Sequence, residues 1–215
     1  MQAGRLRQAE DLFKSAFAEN PRNFDAGFNL AIVCRRLGKK KTALKVHERL
    51  REMAPADFEN TVALGNLYAE TRQPDRAMTE YRLARRLKPE DERVHYNVGI
   101  TKEELGERQE ALRAYAKALR LKPDFVDAAN RSARLLEVMG RANDAVRTLS
   151  KLVRRVTSPH QRSQVEFERA CLLARLGRYR EALERLVALR ETLRRGKMRQ
   201  ALSDHIADLE KRLAK

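Results

Sequence analysis

One stretch of 34 residues, 92–125, decides the fold, and it reads ERVHYNVGITKEELGERQEALRAYAKALRLKPDF. Apolar residues at helical spacing predict a first helix over about 93–105, which Gly106 ends. The i, i+3 and i+4 spacing in the second half predicts another helix over about 108–121. Pro123 follows this helix, and the residue before a proline is disfavoured in the helical region. The stretch therefore predicts two antiparallel helices joined by a tight turn.

The same pattern recurs along the chain at a fixed period of 34 residues. One position of the period holds proline four times in succession, another holds alanine five times, and a third is mostly aromatic. A fourth holds the turn glycine, except where Arg72 replaces it. Several coincident series at one period indicate a repeat array. The first three series are Pro21, Pro55, Pro89 and Pro123; Ala9, Ala43, Ala77, Ala111 and Ala145; and Phe13, His47, Tyr81, Tyr115 and Leu149.

The register of these series predicts one repeat domain over residues 1–215. A final helix at about 198–214 places Met198, Leu202 and Ile206 on one face with charges opposite, as expected of the polar-backed cap that repeat arrays need. The predicted segments are a half repeat at 4–23, full repeats at 24–57, 58–91, 92–125 and 126–159, and a degenerate repeat at 163–196.

The half repeat has no partner helix in the sequence, so we expect its apolar face to be bare. This face includes Leu6, Leu12 and Phe13. Two interpretations are open. Either the chain is trimmed from a longer repeat protein, or the face packs on another molecule, which includes self-association through this N-terminal helix.

The repeated residues resemble the tetratricopeptide repeat family over nearly the whole chain. Early tryptophan, which the family favours, is absent from every repeat. The resemblance implies an all-α, right-handed superhelical solenoid in which first helices line a concave groove and second helices lie toward the convex side. It also implies a protein-binding scaffold or adaptor. The motif residues are Leu64, Gly65, Tyr68, Ala77, Tyr81, Ala84 and Pro89, and then Val98, Gly99, Gly106, Ala111, Tyr115, Ala118 and Pro123.

Composition excludes several classes of protein. The longest run without a charged residue is ten residues, Asn60 to Ala69, whereas a membrane-spanning helix needs about 20 apolar residues. The two cysteines, Cys34 and Cys171, exclude a disulfide framework. Charged residues such as Arg5 and Arg7 stand where a signal peptide needs an apolar stretch. The predicted location is the cytoplasm, with a peripheral position on a membrane as the alternative.

No catalytic, metal or cofactor site is predicted from the sequence. The segment 38–42, GKKKT, is similar to part of a phosphate-binding loop, but Val33 stands where that motif needs glycine. The four histidines and two cysteines have no metal-ligand spacing. We therefore expect a protein without enzymatic activity and without a cofactor.

Groove positions carried over from the family give the candidate partner-binding site. Phe28, Tyr96 and Phe167 would serve as aromatic platforms, and the amides could bond the backbone of an extended peptide. The alternative is that the repeat itself prefers Asn and Tyr at these positions. The candidate groove residues are Phe28, Asn29, Arg35, Arg36, Asn66, Tyr96, Asn97, Asn130, Arg131 and Arg134.

Some members of the family bind the C-terminal carboxylate of a peptide ligand through two lysines, two asparagines and one arginine. Here Asn66, Asn97 and Arg131 match three of these places, but Val62 and Asp127 occupy the lysine places. An intact carboxylate clamp is therefore not expected.

Charge distinguishes the two surfaces. The formal charge is +16 from 46 Lys plus Arg and 30 Asp plus Glu, and nearly all of it falls on second helices, whereas the groove positions are close to neutral. The alternative function is a scaffold whose basic convex face docks on an anionic membrane, an acidic protein or a nucleic acid. Nucleic acid is the weaker choice because aromatic residues do not interleave with these cations. A purely solubilising role is also open. The basic convex face comprises Lys39, Lys40, Lys41, Arg85, Arg86, Arg154 and Arg155.

Overall fold

The chain is described by a computed structural model that covers the backbone of residues 2–192 and 197–214, with side chains for 4–192 and 199–214. Within these residues it is all α-helical, which confirms the predicted fold class. Residues 193–196 of the degenerate repeat and the side chain of Met198 lie outside the described residues. The helices are α1 (Gln2–Glu19), α2 (Phe24–Arg36), α3 (Lys40–Met53), α4 (Phe58–Glu70), α5 (Pro74–Leu87), α6 (Glu92–Glu104), α7 (Arg108–Leu121), α8 (Val126–Val138), α9 (Ala142–Arg155), α10 (Pro159–Arg175), α11 (Tyr179–Thr192) and α12 (Lys197–Leu213).

The turns within hairpins use a left-handed residue, as the glycine series predicts. Gly38 has φ of 77° and Gly140 has φ of 74°. The amide of Lys39 donates to the carbonyl of Cys34 at 2.8 Å, which closes the end of α2. Arg72 adopts the same conformation with φ of 61°, and the amide of Gln73 donates to the carbonyl of Tyr68 at 2.8 Å. The turn is thus the same with or without glycine.

The helices group into two compact units, unit 1 (Met1–Glu107) and unit 2 (Arg108–Lys215). The single domain predicted over 1–215 stays a prediction. In unit 1, the fixed alanines Ala43 and Ala77 have no exposed surface, and the side chains at the aromatic position, His47 and Tyr81, are 1% exposed. Small residues let the helices approach, and the larger side chain fills the space beside them.

The first helix is anchored more firmly than the sequence suggested. Phe17 is buried, and Phe13 packs against the same apolar cluster as Leu30 and Leu50. Only Leu12, at 72% exposed, fits the expected bare face fully. That expectation is wrong for Phe13, because α1 packs on α2 and shares its core.

In unit 2, Ala145, Leu149 and Leu152 form one core with α8 and α10. The last helix, α12, lies against α11, and its Leu202 and Ile206 join a second cluster that holds residues of α10 and α11. This is the position at which the sequence predicts a capping helix.

Candidate functional site

A shallow pocket of about 180 Å³ opens between the first helices α2, α4 and α6 of unit 1. We call it the asparagine pocket, because both Asn66 and Asn97 line it. Three of the predicted groove residues therefore meet here, since Arg35 also lines it. The full lining is Arg35, Asn66, Ala69, Glu70, Tyr81, Asn97, Ile100, Thr101 and Glu104.

The two asparagines form one hydrogen-bonded pair. Asn66 Oδ1 accepts from Tyr81 Oη at 2.8 Å and from Asn97 Nδ2 at 2.8 Å. Burial raises the pKa of Tyr81, so its hydroxyl keeps its proton and remains a donor at neutral pH. Both lone pairs of Asn66 Oδ1 are therefore used. No hydrogen bond within the described residues uses Asn66 Nδ2 or Asn97 Oδ1, so a donor and an acceptor stand side by side.

The rim of the pocket is charged but largely neutralised. Arg35 donates to Glu70 through Nε at 2.9 Å and through Nη2, and Lys40 Nζ lies 3.4 Å from the same carboxylate. Burial opposes ionisation of Glu70, but the hydrogen bond from Arg35 and the nearby cationic charges outweigh it and lower the Glu70 pKa. Arg35, a predicted groove residue, is thus engaged in an ion pair within the protein.

Arg–Glu pairs also tie other first helices together. Arg93 of α6 donates to both oxygens of Glu59 of α4 at 2.9 and 3.1 Å. In unit 2, Arg175 of α10 donates to Glu137 of α8 at 2.7 and 2.9 Å. The near-neutral balance of the groove positions does not show that these charges form pairs. Opposite charges at groove positions that lie about one repeat apart in the sequence would have predicted these ion pairs.

The predicted aromatic platforms are partly used by the core. Phe28 contacts His47 edge-on with ring centroids 5.4 Å apart and packs against the apolar cluster of unit 1. In unit 2, Phe167 contacts His205 of α12 at 5.2 Å. Tyr96 is half-buried. Packing against histidine therefore uses part of the Phe28 and Phe167 rings.

The remaining groove residues lie on exposed positions or beside a small recess. Asn29 is exposed and donates to the carbonyl of Asp25 in its own helix at 2.9 Å, and Arg36 is exposed as well. In unit 2, Arg131 and Arg134 are exposed, whereas Asn130 Oδ1 is buried and accepts no hydrogen bond from the described residues. Asn130 and Arg134 line a recess of about 30 Å³.

The residues of the predicted basic face fall into two groups. Lys39 is bound to both carboxylate oxygens of Glu10 at 2.7 Å, and Lys40 to Glu70. These two lysines are therefore partly neutralised by the protein itself. The others are exposed to solvent: Lys41, Arg85, Arg86, Arg154 and Arg155.

Neither cysteine has the environment of a reactive thiol. Cys34 has no exposed surface, and Cys171 is half-buried. Burial raises the pKa of both thiols, which disfavours the nucleophilic thiolate. Among the described residues no group of His, Cys, Asp and Glu could hold a metal ion. No described helix combines the length and apolarity needed to cross a bilayer.

Two sequence models, each described as tetratricopeptide repeat, match the chain. One covers residues 1–59 and 104–163, and the other covers 62–124. The chain belongs to the tetratricopeptide repeat family. Tetratricopeptide repeat proteins generally act as protein-interaction scaffolds without enzymatic activity, and this is the general role that the family supports for the chain.

Solved tetratricopeptide repeat structures share the fold. MamA from Desulfovibrio magneticus is 18% identical, with a TM-score of 0.64 over 73% of this chain and 90% of that one. A thermophilic tetratricopeptide repeat protein, TTC0263 of Thermus thermophilus, is 24% identical, with a TM-score of 0.63 over 80% and 93%. At these identities the likeness shows the fold alone. No curated protein matches the sequence.

Proposed function

We propose that the chain is a non-enzymatic adaptor that binds an extended segment of a partner protein on the first helices of unit 1. The asparagine pair carries this proposal. Asn66 Nδ2 offers a donor and Asn97 Oδ1 an acceptor, and a peptide group in an extended chain presents the complementary acceptor and donor. Amide pairs of this kind bind the peptide backbone and tolerate many side chains.

The surroundings of the pair favour a small or medium apolar side chain of the ligand. Ala69 and Ile100 line the asparagine pocket, and its volume of about 180 Å³ accommodates a side chain but not a larger ligand. The charges of Arg35 and Glu70 compensate each other, so this pair does not favour a charged side chain in the ligand. Phe28 and Tyr96 are half-buried and would add apolar contact for other parts of an extended ligand.

An internal peptide segment fits better than a C-terminal carboxylate. Val62, at one lysine place of the family clamp, is 6% exposed. The asparagine pocket is also lined by Glu104, which forms no ion pair within the described residues, and its carboxylate would repel the carboxylate of a ligand. The proposed ligand therefore binds through its backbone and one apolar side chain.

A selection experiment tests the proposal on the intact chain. Peptides from a random phage-displayed library are selected on the wild type, and their affinities are compared with those for Asn97→Ala. This variant keeps the bond between Tyr81 and Asn66 but loses the bond from Asn97 to Asn66, so its stability should fall by no more than about 1 kcal/mol. We expect roughly tenfold weaker binding, since a peptide hydrogen bond loses its partner and leaves a buried polar group unpaired.

The matched control is Asn143→Ala, an exposed asparagine on α9 of unit 2. It should bind the selected peptides like the wild type. Equal affinity of wild type and Asn97→Ala would contradict the proposal, and so would a loss of equal size in the control.

A further inference from the structure

The second-helix side of unit 2 contains a recessed groove between α7 and α9. Its larger part is a cavity of about 610 Å³ whose apolar floor includes Leu119 of α7, Ala129 of α8 and Leu152 of α9. We call this feature the α7–α9 groove. Leu152 is 2% exposed and Ala129 is 1% exposed, so the floor belongs to the packed core of unit 2.

The groove continues along the helices into a second cavity of about 380 Å³. The two cavities share Ala116, Ser132, Thr148 and Lys151. Because α7 contributes residues from Gln109 to Arg120, the combined groove is about 16 Å long at 1.5 Å per residue. This length corresponds to three turns of a helix.

The rim of the larger cavity is purely cationic. Arg120 of α7 faces Lys151, Arg154 and Arg155 of α9, and the lining contains no carboxylate. All four side chains are exposed, and none of them forms an ion pair within the described part of the chain. In the second cavity the one carboxylate, Asp144, is already held by Arg141 and Arg147.

This arrangement differs from the basic positions that the protein neutralises with its own carboxylates. In unit 1, Lys39 and Lys40 are paired with Glu10 and Glu70. A cluster of like charges around an apolar trough repels itself, and a bound anionic group relieves that repulsion. The α7–α9 groove therefore combines an apolar surface with a positive potential that favours an anionic ligand.

We propose that the α7–α9 groove binds an amphipathic helix of a partner protein whose apolar stripe is flanked by acidic residues. A row of apolar side chains would enter the trough between α7 and α9, as in helix-in-groove recognition. Flanking carboxylates would then meet Arg120 on one side and the cations of α9 on the other. This is a second site, independent of the asparagine pocket.

Other anionic partners fit the groove less well. The lining contains no aromatic residue on which a base could stack. A lipid bilayer presents a broad surface that meets exposed cations but does not enter a recess with an apolar floor. The apolar floor and the two cationic walls together favour a helix.

Binding is measured by fluorescence anisotropy with a synthetic amphipathic helix of about 18 residues, roughly five turns, with leucines on one face and glutamates beside them. Two rival peptides accompany it: one of identical composition in scrambled order, and one with lysines for the glutamates. We expect the acidic amphipathic helix to bind and both rivals to bind at least roughly tenfold more weakly.

Two variants test whether the peptide binds in the α7–α9 groove. Arg120→Glu with Lys151→Glu reverses charge on both walls, and Ala116→Trp fills the groove while every cation stays. Each should weaken binding roughly tenfold or more. The matched control, Arg85→Glu with Arg86→Glu, reverses two exposed cations on α5 of unit 1 and should leave affinity unchanged, as should Asn97→Ala. Circular dichroism melts check that all variants fold.

Three outcomes would overturn the proposal. The scrambled acidic peptide could bind as well as the helical one, which would mean that charge alone is recognised. Ala116→Trp could bind normally, which would place the helix elsewhere. Phosphatidylserine vesicles or a short DNA duplex could bind while the acidic helix does not, which would assign the cations to a membrane or a nucleic acid.

Discussion

Gly65 of α4 lies against the ring of Tyr81 of α5 so closely that a Cβ atom at position 65 would stand 2.5 Å from Cε1 of Tyr81. This contact sets the distance between the two helices of the hairpin. The Tyr81 ring is 1% exposed, and its hydroxyl is held by Asn66. The ring therefore has little freedom to move aside, and the packing contact also fixes one member of the asparagine pocket.

Gly65→Ala should destabilise the protein by about 1 to 3 kcal/mol, because an added methyl overpacks a filled core. The measurement is urea denaturation followed by circular dichroism. Gly4→Ala is the control, since a Cβ atom there has no neighbour within 4 Å, and it should stabilise helix α1 by about 0.5 to 1 kcal/mol. Equal stability of Gly65→Ala and wild type would mean that the hairpin is loosely packed.

Arg72→Gly should stabilise the protein by up to about 1 kcal/mol. A left-handed residue with a side chain carries a steric cost of about 1 to 2 kcal/mol, and part of the gain is lost because glycine makes the unfolded chain more flexible. Thermal unfolding measures the difference. The reverse change in an equivalent turn, Gly140→Ala, should destabilise by about the same amount. A destabilised Arg72→Gly would show that the Arg72 side chain compensates for its backbone.

His47 should make stability depend on pH. Burial lowers the pKa of His47 in the folded protein, and its ring Nδ1 lies 2.7 Å from Asn60 Oδ1. Because the unfolded chain then takes up a proton at higher pH, this contribution is fully present above about pH 6.5 and is lost as the pH falls below it. The slope from this residue is at most about 1.4 kcal/mol per pH unit.

The test is the free energy of unfolding from pH 7.5 to 5. In His47→Gln the decline toward low pH should be smaller than in the wild type, whatever the absolute stability. His160→Gln, at an exposed site, should keep the wild-type slope. The same slope in all three proteins would assign the pH dependence to other groups.

The two cysteines should react at different rates with a thiol reagent in the native protein. Cys34 has no exposed surface and its Sγ lies 3.8 Å from Glu10 Oε1, whereas Cys171 is half-buried. We expect Cys171 to react first and Cys34 to react only on unfolding. The measurement is Ellman's assay on the wild type and on Cys171→Ser, which should lose the faster phase. A fast phase that persists in Cys171→Ser would mean that α2 opens readily.

The helices and turns follow from local patterns, which is why the sequence predicts them well. The series of Pro89, Gly106, Ala111 and Pro123 positions both helices of their hairpin, and α6 and α7 begin and end within a residue of the prediction. The conformation of Arg72 follows from the same register, since the neighbouring hydrogen bonds fix the turn.

The site depends on contacts between side chains that lie about one repeat apart in the sequence. The list of residues at groove positions does not show which of them form such contacts. Arg35 was predicted as a groove residue, yet its pairing with Glu70 removes it as an open ligand contact. Phe13 was expected to be exposed because its partner helix is missing, although α2 supplies the covering surface. Summing charge over all second helices also concealed the difference between the paired Lys39 and the open Arg154.

The left-handed turn at Arg72 has a consequence for how such arrays are recognised and built. A search for repeats that requires a turn glycine would skip the segment 58–91, although its hairpin closes with the same bond from the amide of residue 73 to the carbonyl of residue 68. The backbone bond is therefore the more faithful marker of the repeat. A designer of repeat arrays could place functional side chains at this turn and accept a small loss of stability.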